Sequence, residues 1–247
     1  MFDLTVLDWT IVTISAIAIG FSKAGLPNLI IFVVTLMMIV FPAKESVGIL
    51  LPMLLVGDLF AIIYYRRSVV WKHLLSLIPW SLLGIAFGYM VLIAIDSKQL
   101  EPLIGVIVLT MIGLHAIRSK FGERFNELLP DSRWFTSSMG TLGGFTTMIG
   151  NAAGGIMSIY LLVKGLPKKE FVGTSAWFFL TVNAIKFPLY MQLGLITGKS
   201  LAFNSMLIIP ILLGALLGVK ILPAIPQKIF QILILGLAAI GGINLLL

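Results

Sequence analysis

The sequence contains no cysteine and few charged residues, and each shortage excludes a class of protein. Without cysteine there is no thiol catalysis, no disulfide and no cysteine-ligated metal or iron–sulfur site. Charged residues make up 11% of the 247 residues, against about 25% in a soluble domain. Hydrophobic residues make up 59%, and the mean hydropathy is +1.10. The composition therefore predicts an integral membrane protein without a sizeable soluble domain.

Features of enzymes and of nucleic-acid binding are also missing. Neither His73 nor His115 has a second histidine at metal-ligand spacing, and P-loop and hydrolase motifs are absent. The net charge of +7 comes mainly from basic residues in short loops between apolar runs, a distribution typical of membrane topology rather than of a nucleic-acid surface. We therefore predict a protein that is not an enzyme, has no cofactor and no metal, and binds no nucleic acid.

Apolar segments occupy most of the chain. Six are long enough to cross a hydrocarbon core of about 30 Å at about 1.5 Å per residue. These six are 45–65, 73–94, 99–117, 170–190, 200–222 and 228–247. The shorter segments form two pairs, 9–22 with 27–41 and 135–149 with 152–163, and polar or helix-breaking residues interrupt each pair. Each pair is predicted to form a broken, re-entrant helical hairpin, with two tilted or tightly turned spans as the alternative.

An internal repeat relates the two halves of the chain. FPAKESVG at 41–48 recurs as LPKKEFVG at 166–173, and the same offset of 125 places Asp58 on Asn183. Gly25 matches Gly150 at this offset. After a small insertion the offset becomes 130, which pairs Gly84 with Gly214 and Gly88 with Gly218. The predicted fold is an all-α polytopic membrane protein. It has an N-terminal repeat 1–117, a linker 118–134 and a C-terminal repeat 135–247, and each repeat has one hairpin and three long transmembrane helices.

The two repeats are predicted to be inverted. Each half makes an odd number of net crossings whether its hairpin re-enters or crosses twice, so the halves face opposite ways. Lys44, Lys98 and Lys199 fall on one side, and most other basic residues, including those of the linker 118–134, fall on the other. The positive-inside rule then predicts a protein of the cell (inner) membrane, with this linker in the cytoplasm and both termini outside.

Polar residues inside the apolar segments are the first candidates for a functional site, because they are costly in a membrane. Lys23 lies at the tip of the first hairpin with Gly25 and Asn28, beside a predicted helix start whose free N–H groups attract anions. The alternative is a lysine that reaches to the membrane interface. Gly150 and Asn151 lie at the tip of the second hairpin, where glycine allows a ligand or another helix to come close. Substrate contact is predicted for all five.

Further candidates lie within two long spans. Thr174 and Ser175 could donate hydrogen bonds to an oxyanion, with helix capping or interhelical bonding as the alternative. Lys186 lies in the same span and is also predicted to contact substrate. Asp58 and Asn183 are equivalent in the repeat, and equivalent positions of inverted repeats tend to meet near the pseudo-two-fold axis. An Asp58–Lys186 ion pair is therefore predicted, either structural or exchanged with substrate or protons.

Together these features resemble the TauE/SafE family of sulfite exporters, also called the toluene sulfonate uptake permease family. The resemblance covers nearly the whole chain. It rests on the two-fold repeat, on glycine-rich segments at 20–25 and 143–155, and on Pro-x-x-Glu-x-x-Gly elements starting at Pro42 and Pro167. The first hairpin departs from the family, because Leu-Pro-Asn follows Gly25 where family members often show a run of glycines.

The resemblance implies secondary transport of a small sulfur-containing anion, such as sulfite or an organosulfonate like sulfoacetate, often outward and by alternating access. Alternatives are a transporter or channel for another small anion such as a carboxylate, or a non-transport membrane assembly protein. The partners implied are a small anionic substrate, the lipid bilayer and a coupling ion, H⁺ or Na⁺. The sequence leaves the formation of a homo-oligomer open.

Overall fold

The protein is all-helical over the part of the chain that the structure, a computed structural model, describes. The described residues are 4–23, 26, 29–65, 68–121, 132–221, 239, 243 and 246. The helices are α1 (Val6–Ser22), α2 (Leu29–Val40), α3 (Ala43–Tyr65), α4 (Trp71–Ala94), α5 (Ser97–Phe121), α6 (Arg133–Gly150), α7 (Gly154–Val163), α8 (Lys168–Gln192) and α9 (Gly198–Ile221). These helices confirm the predicted class, an all-α polytopic membrane protein.

The long predicted spans are mostly present as helices. Four helices, α3, α4, α5 and α9, are long and apolar enough to cross a membrane. α8 coincides with the predicted span 170–190 and has 25 residues, and its polar residues are among those that form the site described below. The predicted span 228–247 and the middle of the linker 118–134 lie outside the described residues, three isolated positions excepted.

Two helix pairs lie where the sequence predicts hairpins: α1 (17 residues) packs with the shorter α2, and α6 (18 residues) packs with the shorter α7. At about 1.5 Å per residue, the 12 residues of α2 and the 10 residues of α7 rise about 18 and 15 Å, less than a hydrocarbon core of about 30 Å. The α6–α7 break occurs at Asn151, which has a left-handed backbone (φ 56°) and whose N–H donates to the carbonyl of Thr147. Asparagine adopts this conformation more readily than most residues, which accounts for its place at the turn.

Glycine lets α4 and α6 come into direct backbone contact. A methyl group on Gly84 would collide with the backbone of Thr141, and one on Gly144 would collide with the backbone of Ser81. Such contact between small residues is a common way for helices to pack in a membrane.

The same contact recurs between α1 and α9. Gly20 faces the backbone of Ile211, and Gly214 faces the backbone of Ile17. Ile211 and Gly214 are the repeat counterparts of the two α4 residues at the α6 contact. The first helix of each half therefore packs against the fourth helix of the other half.

The two equivalent helices α3 and α8 pack against each other in opposite directions. Gly48, near the start of α3, faces the backbone of Leu195 just beyond the end of α8. Gly173, near the start of α8, faces the backbone of Ser68 just beyond the end of α3. The middles of these two helices therefore meet, and the candidate site lies at this meeting point.

Candidate functional site

A cavity lies beside the meeting point of α3 and α8. It is bordered by the end of α1, by α2, and by the tip of the α6–α7 pair. The polar lining residues include Lys23, Asp58, Thr147, Asn151, Ser175 and Asn183. The apolar lining residues include Ile30, Leu54, Phe171, Val172, Ala176 and Phe179. One part of the wall can therefore make hydrogen bonds and ion pairs, while another offers only apolar contact.

A fully buried lysine, Lys186 on α8, lies directly behind the polar lining. Its Nζ donates to Thr147 Oγ1 (3.0 Å), Asn151 Oδ1 (2.6 Å) and Asn183 Oδ1 (3.2 Å). A protonated lysine has three N–H donors, and each of them has an acceptor here. Because these acceptors are neutral, they hold the ammonium in place without cancelling its charge.

A buried carboxylate, Asp58 at the middle of α3, contacts both helices that carry the lysines. Its Oδ1 lies 2.6 Å from Lys23 Nζ, and its Oδ2 accepts a hydrogen bond from Asn183 Nδ2 (2.7 Å). The predicted contact between Asp58 and Asn183 is therefore present. The predicted ion pair with Lys186 is corrected: Lys23 pairs with Asp58, because the end of α1 brings it into the cavity and Asn183 stands between Asp58 and Lys186.

Among the described residues, the formal charges around the cavity are two positive and one negative. Lys23 is nearly buried, with 9% of its side chain exposed, and its Nζ lies 5.1 Å from the centre of the Phe179 ring. Asp58 and Lys186 are the fully buried charged side chains among the described residues. Electrostatic interactions are strong where water is scarce, so this excess of positive charge favours a bound anion.

The tip of the α6–α7 pair adds neutral hydrogen-bonding groups. Asn151 Nδ2 donates to the carbonyl of Val47 (3.2 Å), which ties the tip to α3. Gly154, the first residue of α7, lines the cavity. The first N–H groups of a helix have no partner within the helix and carry partial positive charge. The start of α7 therefore presents its electropositive end to the cavity.

The two neighbouring hydroxyl residues of α8 have different surroundings. Ser175 lines the cavity and makes no hydrogen bond to another described residue. Thr174 is buried outside the lining, and its Oγ1 accepts from the N–H of Val70 (2.9 Å), just before α4. Successive helical residues point about 100° apart, and of these two Ser175 faces the cavity while Thr174 faces the segment before α4. Thr174 has the interhelical hydrogen bond that was the alternative to substrate contact.

The structure describes one of the two glycines that were predicted to contact substrate, Gly150 but not Gly25. Gly150 faces the side chain of Ile104 on α5, so it allows helix packing and does not line the cavity. Gly25 and Asn28 lie outside the described residues, and their contact with substrate stays a prediction. Within the described part of the chain, no cluster of His, Asp and Glu could hold a metal ion.

Sequence reasoning missed the apolar wall. On α8, Val172, Ala176, Phe179 and Asn183 all line the cavity, and they are spaced three or four residues apart. That spacing is the period of one helix face. The helix face that contains Asn183 also contains Phe179 and Ala176, so this part of the apolar wall could have been predicted from the sequence.

Comparison with known proteins identifies the family but offers no close relative. No curated protein and no solved structure matches the chain. The sulfite exporter TauE/SafE family, a family of membrane transporters, matches residues 12–245. This match includes most of α1 and the whole of every other described helix that borders the cavity. The chain therefore belongs to the sulfite exporter TauE/SafE family.

Proposed function

We propose that the protein is a secondary transporter of small sulfur-containing anions, such as sulfite or an organosulfonate like sulfoacetate. The observation that carries the proposal is the cavity at which, among the described residues, Lys23 and Lys186 outweigh the carboxylate of Asp58. An unbalanced charge among transmembrane helices is costly, and a bound anion would balance it.

Neutral donors around the cavity suit an anion with several oxygen atoms. Ser175 Oγ has no hydrogen-bond partner among the described residues. Thr147 Oγ1 accepts from Lys186, so its own hydrogen is directed away from that lysine and can be donated. The N–H groups at the start of α7 supply more donors. A sulfite or sulfonate group has three oxygens, and these donors come from three separate helices.

The apolar wall supports organosulfonates among the substrates. Phe171, Val172 and Phe179 lie on the cavity side of α8, next to the hydroxyl of Ser175. Binding pockets typically combine an apolar lining with a few polar groups that fix the orientation of the ligand. An organic substituent would gain from contact with this wall, whereas an inorganic anion would leave it unused.

We propose alternating access by two inverted repeats. The opposite directions of α3 and α8, and the reciprocal contacts of α1 with α9 and of α4 with α6, support this arrangement. Substrate sites of inverted-repeat transporters lie near the midplane between the repeats, and the contact between the middles of α3 and α8 supports such a position for this cavity. For orientation we propose the inner membrane, a cytoplasmic 118–134 linker, outside termini and outward transport.

Flux into liposomes tests the proposed function. Liposomes that contain the purified protein are loaded with a labelled sulfonate. Efflux of the label is then measured with sulfite, sulfoacetate or acetate as competitors. We expect competition by sulfite and sulfoacetate at concentrations at least about tenfold lower than acetate, a difference of about 1.4 kcal/mol. Equal competition by acetate would reassign the substrate to carboxylates. Absence of protein-dependent flux for every anion would contradict the proposal.

A further inference from the structure

We infer that Asp58 is a proton site and that one proton moves with each transported anion in the same direction. The inference rests on the proposed function, because it requires an anion in the cavity. It comes from the different polar contacts of the two lysines, Lys186 and Lys23.

Lys186 is fixed, whereas Lys23 is exchangeable. The three hydrogen bonds of Lys186 go to neutral groups on α6, at the α6–α7 tip and on α8 itself. Lys23 instead lies on the cavity wall, at the end of α1, and its polar partner among the described residues is the carboxylate of Asp58. A negative group that enters the cavity therefore competes with Asp58 for Lys23.

Loss of Lys23 leaves Asp58 in an unfavourable state. The carboxylate is fully buried, and its remaining hydrogen bond is from the neutral amide of Asn183. A buried charge without its partner is strongly destabilising, and a second negative charge in the cavity repels it. Uptake of one proton by the carboxylate removes both costs. When the anion leaves, Lys23 returns to Asp58, and the proton is released on the same side.

The surroundings of Asp58 contain few other charges that could take over this role. The helices packed against α3 are α1, α2, α5, α8 and α9. They bring Lys23 from the end of α1 and Lys186 from α8 to the cavity, and none of the described charged side chains of α2, α5 and α9 is buried. Among the described residues, Asp58 is the buried carboxylate that faces the cavity.

The charge balance determines how each substrate would be driven. A singly charged sulfonate that moves with one proton carries no net charge, so a pH gradient alone sets its distribution. A doubly charged sulfite that moves with one proton carries one net negative charge. The inside-negative membrane potential drives that charge outward, whereas a pH gradient that is acidic outside opposes it. The proposed outward transport therefore applies to sulfite when the potential exceeds the pH gradient, and a sulfonate would follow the proton toward the alkaline side.

The test uses methanesulfonate, which stays singly charged over the whole working pH range, in liposomes with the membrane potential clamped at zero. For the unmodified protein we expect accumulation on the alkaline side, about tenfold for each pH unit, and proton movement reported by a trapped pH dye. Transport of methanesulfonate that ignores the pH gradient would overturn the inference and leave the proposed function standing. No transport of any anion would overturn the proposed function instead.

Asp58→Asn separates coupling from binding. We expect exchange of labelled for unlabelled methanesulfonate to remain measurable. Accumulation driven by the pH gradient should fall from about tenfold to about equal concentrations on the two sides. Asp96→Asn, at an exposed carboxylate before α5, is the matched control and should keep the response to pH. If Asp58→Asn does not fold, the number of protons that the unmodified protein moves with each methanesulfonate takes its place, and we expect a ratio of one. A retained tenfold accumulation in Asp58→Asn, or methanesulfonate movement without proton movement in the unmodified protein, would overturn the inference.

Discussion

At the scale of single residues, the charge of Lys186 is the feature that the site depends on most. Its three hydrogen bonds place a positive charge behind Thr147, Asn151 and Asn183 without using a carboxylate. Lys186→Gln keeps some hydrogen bonding and removes the charge. We expect anion binding at least about tenfold weaker, measured as the sulfite concentration that stabilises the purified protein against heat. Lys98→Gln, at an exposed lysine in α5, is the control, and equal affinity in both variants would contradict the assignment.

The neighbouring residues Thr174 and Ser175 should separate stability from binding. Ser175→Ala removes a hydroxyl on the cavity wall, and we expect affinity to fall about two- to twelvefold, the effect of one hydrogen bond of about 0.5–1.5 kcal/mol. Thr174→Val leaves the N–H of Val70 without its acceptor, which should cost about 1–3 kcal/mol of stability and leave affinity unchanged. Flux and thermal unfolding of both variants are the measurements. The opposite assignment, with Thr174→Val weakening affinity and Ser175→Ala only stability, would show that the rotation of α8 is wrong.

The sequence predicted the contacts of individual residues only where these do not depend on the rotation of a helix about its axis. Asp58 and Asn183 were brought together by the repeat alone, because equivalent mid-span positions meet when two halves are inverted, and they are hydrogen bonded in the structure. Thr174 and Ser175 could not be told apart, because hydropathy does not give the direction in which each side chain points. Lys23 could not be assigned to Asp58, because its reach depends on where α1 ends.

At the scale of helices, packing depends on glycines that stand against backbone. A methyl group on Gly144 would meet the backbone of Ser81, and one on Gly214 would meet the backbone of Ile17. We expect Gly144→Ala and Gly214→Ala each to lower the melting temperature in detergent by several degrees, since overpacking typically costs about 1–3 kcal/mol. Gly113→Ala in α5 is the control, because a methyl group there meets nothing within 4 Å. It should be neutral or slightly stabilising, since alanine is the better helix former.

A different result would revise the helix contacts. If Gly113→Ala destabilised the protein as much as the other two substitutions, the effect would come from glycine itself and not from close packing. The sequence anticipated these glycines only as repeat partners, Gly84 with Gly214. Which helix each one faces is set by tertiary contacts between segments far apart in the chain, so composition and periodicity could not provide it.

At the scale of the whole molecule, the proposed inversion of the two halves makes a topological prediction. Lys44 lies at the start of α3 and Lys169 at the start of α8, and these two helices run in opposite directions. Because the chain has no cysteine, Lys44→Cys and Lys169→Cys each introduce a single thiol. We expect an impermeant maleimide added to intact cells to label position 44 and to spare position 169 until the membrane is opened. Labelling of both from the same compartment would contradict inverted repeats.

The overall architecture was largely predictable, because hydropathy and the repeat report directly on membrane crossing. Five predicted long spans correspond to α3, α4, α5, α8 and α9, and the four shorter segments correspond to the two helix pairs α1–α2 and α6–α7. The cavity itself was not predictable in shape. Its wall combines residues from four or more helices, and its apolar side becomes visible only when α8 is placed against α3.

The position of a bound anion tests the central claim most directly. Selenite, the heavier analogue of sulfite, can be located by its anomalous diffraction in crystals of the purified protein. The account predicts a selenium peak in the cavity beside α3 and α8, within hydrogen-bonding distance of Lys23 or Ser175 and close to the start of α7. A selenium site elsewhere in the protein, with this cavity empty at saturating selenite, would contradict it.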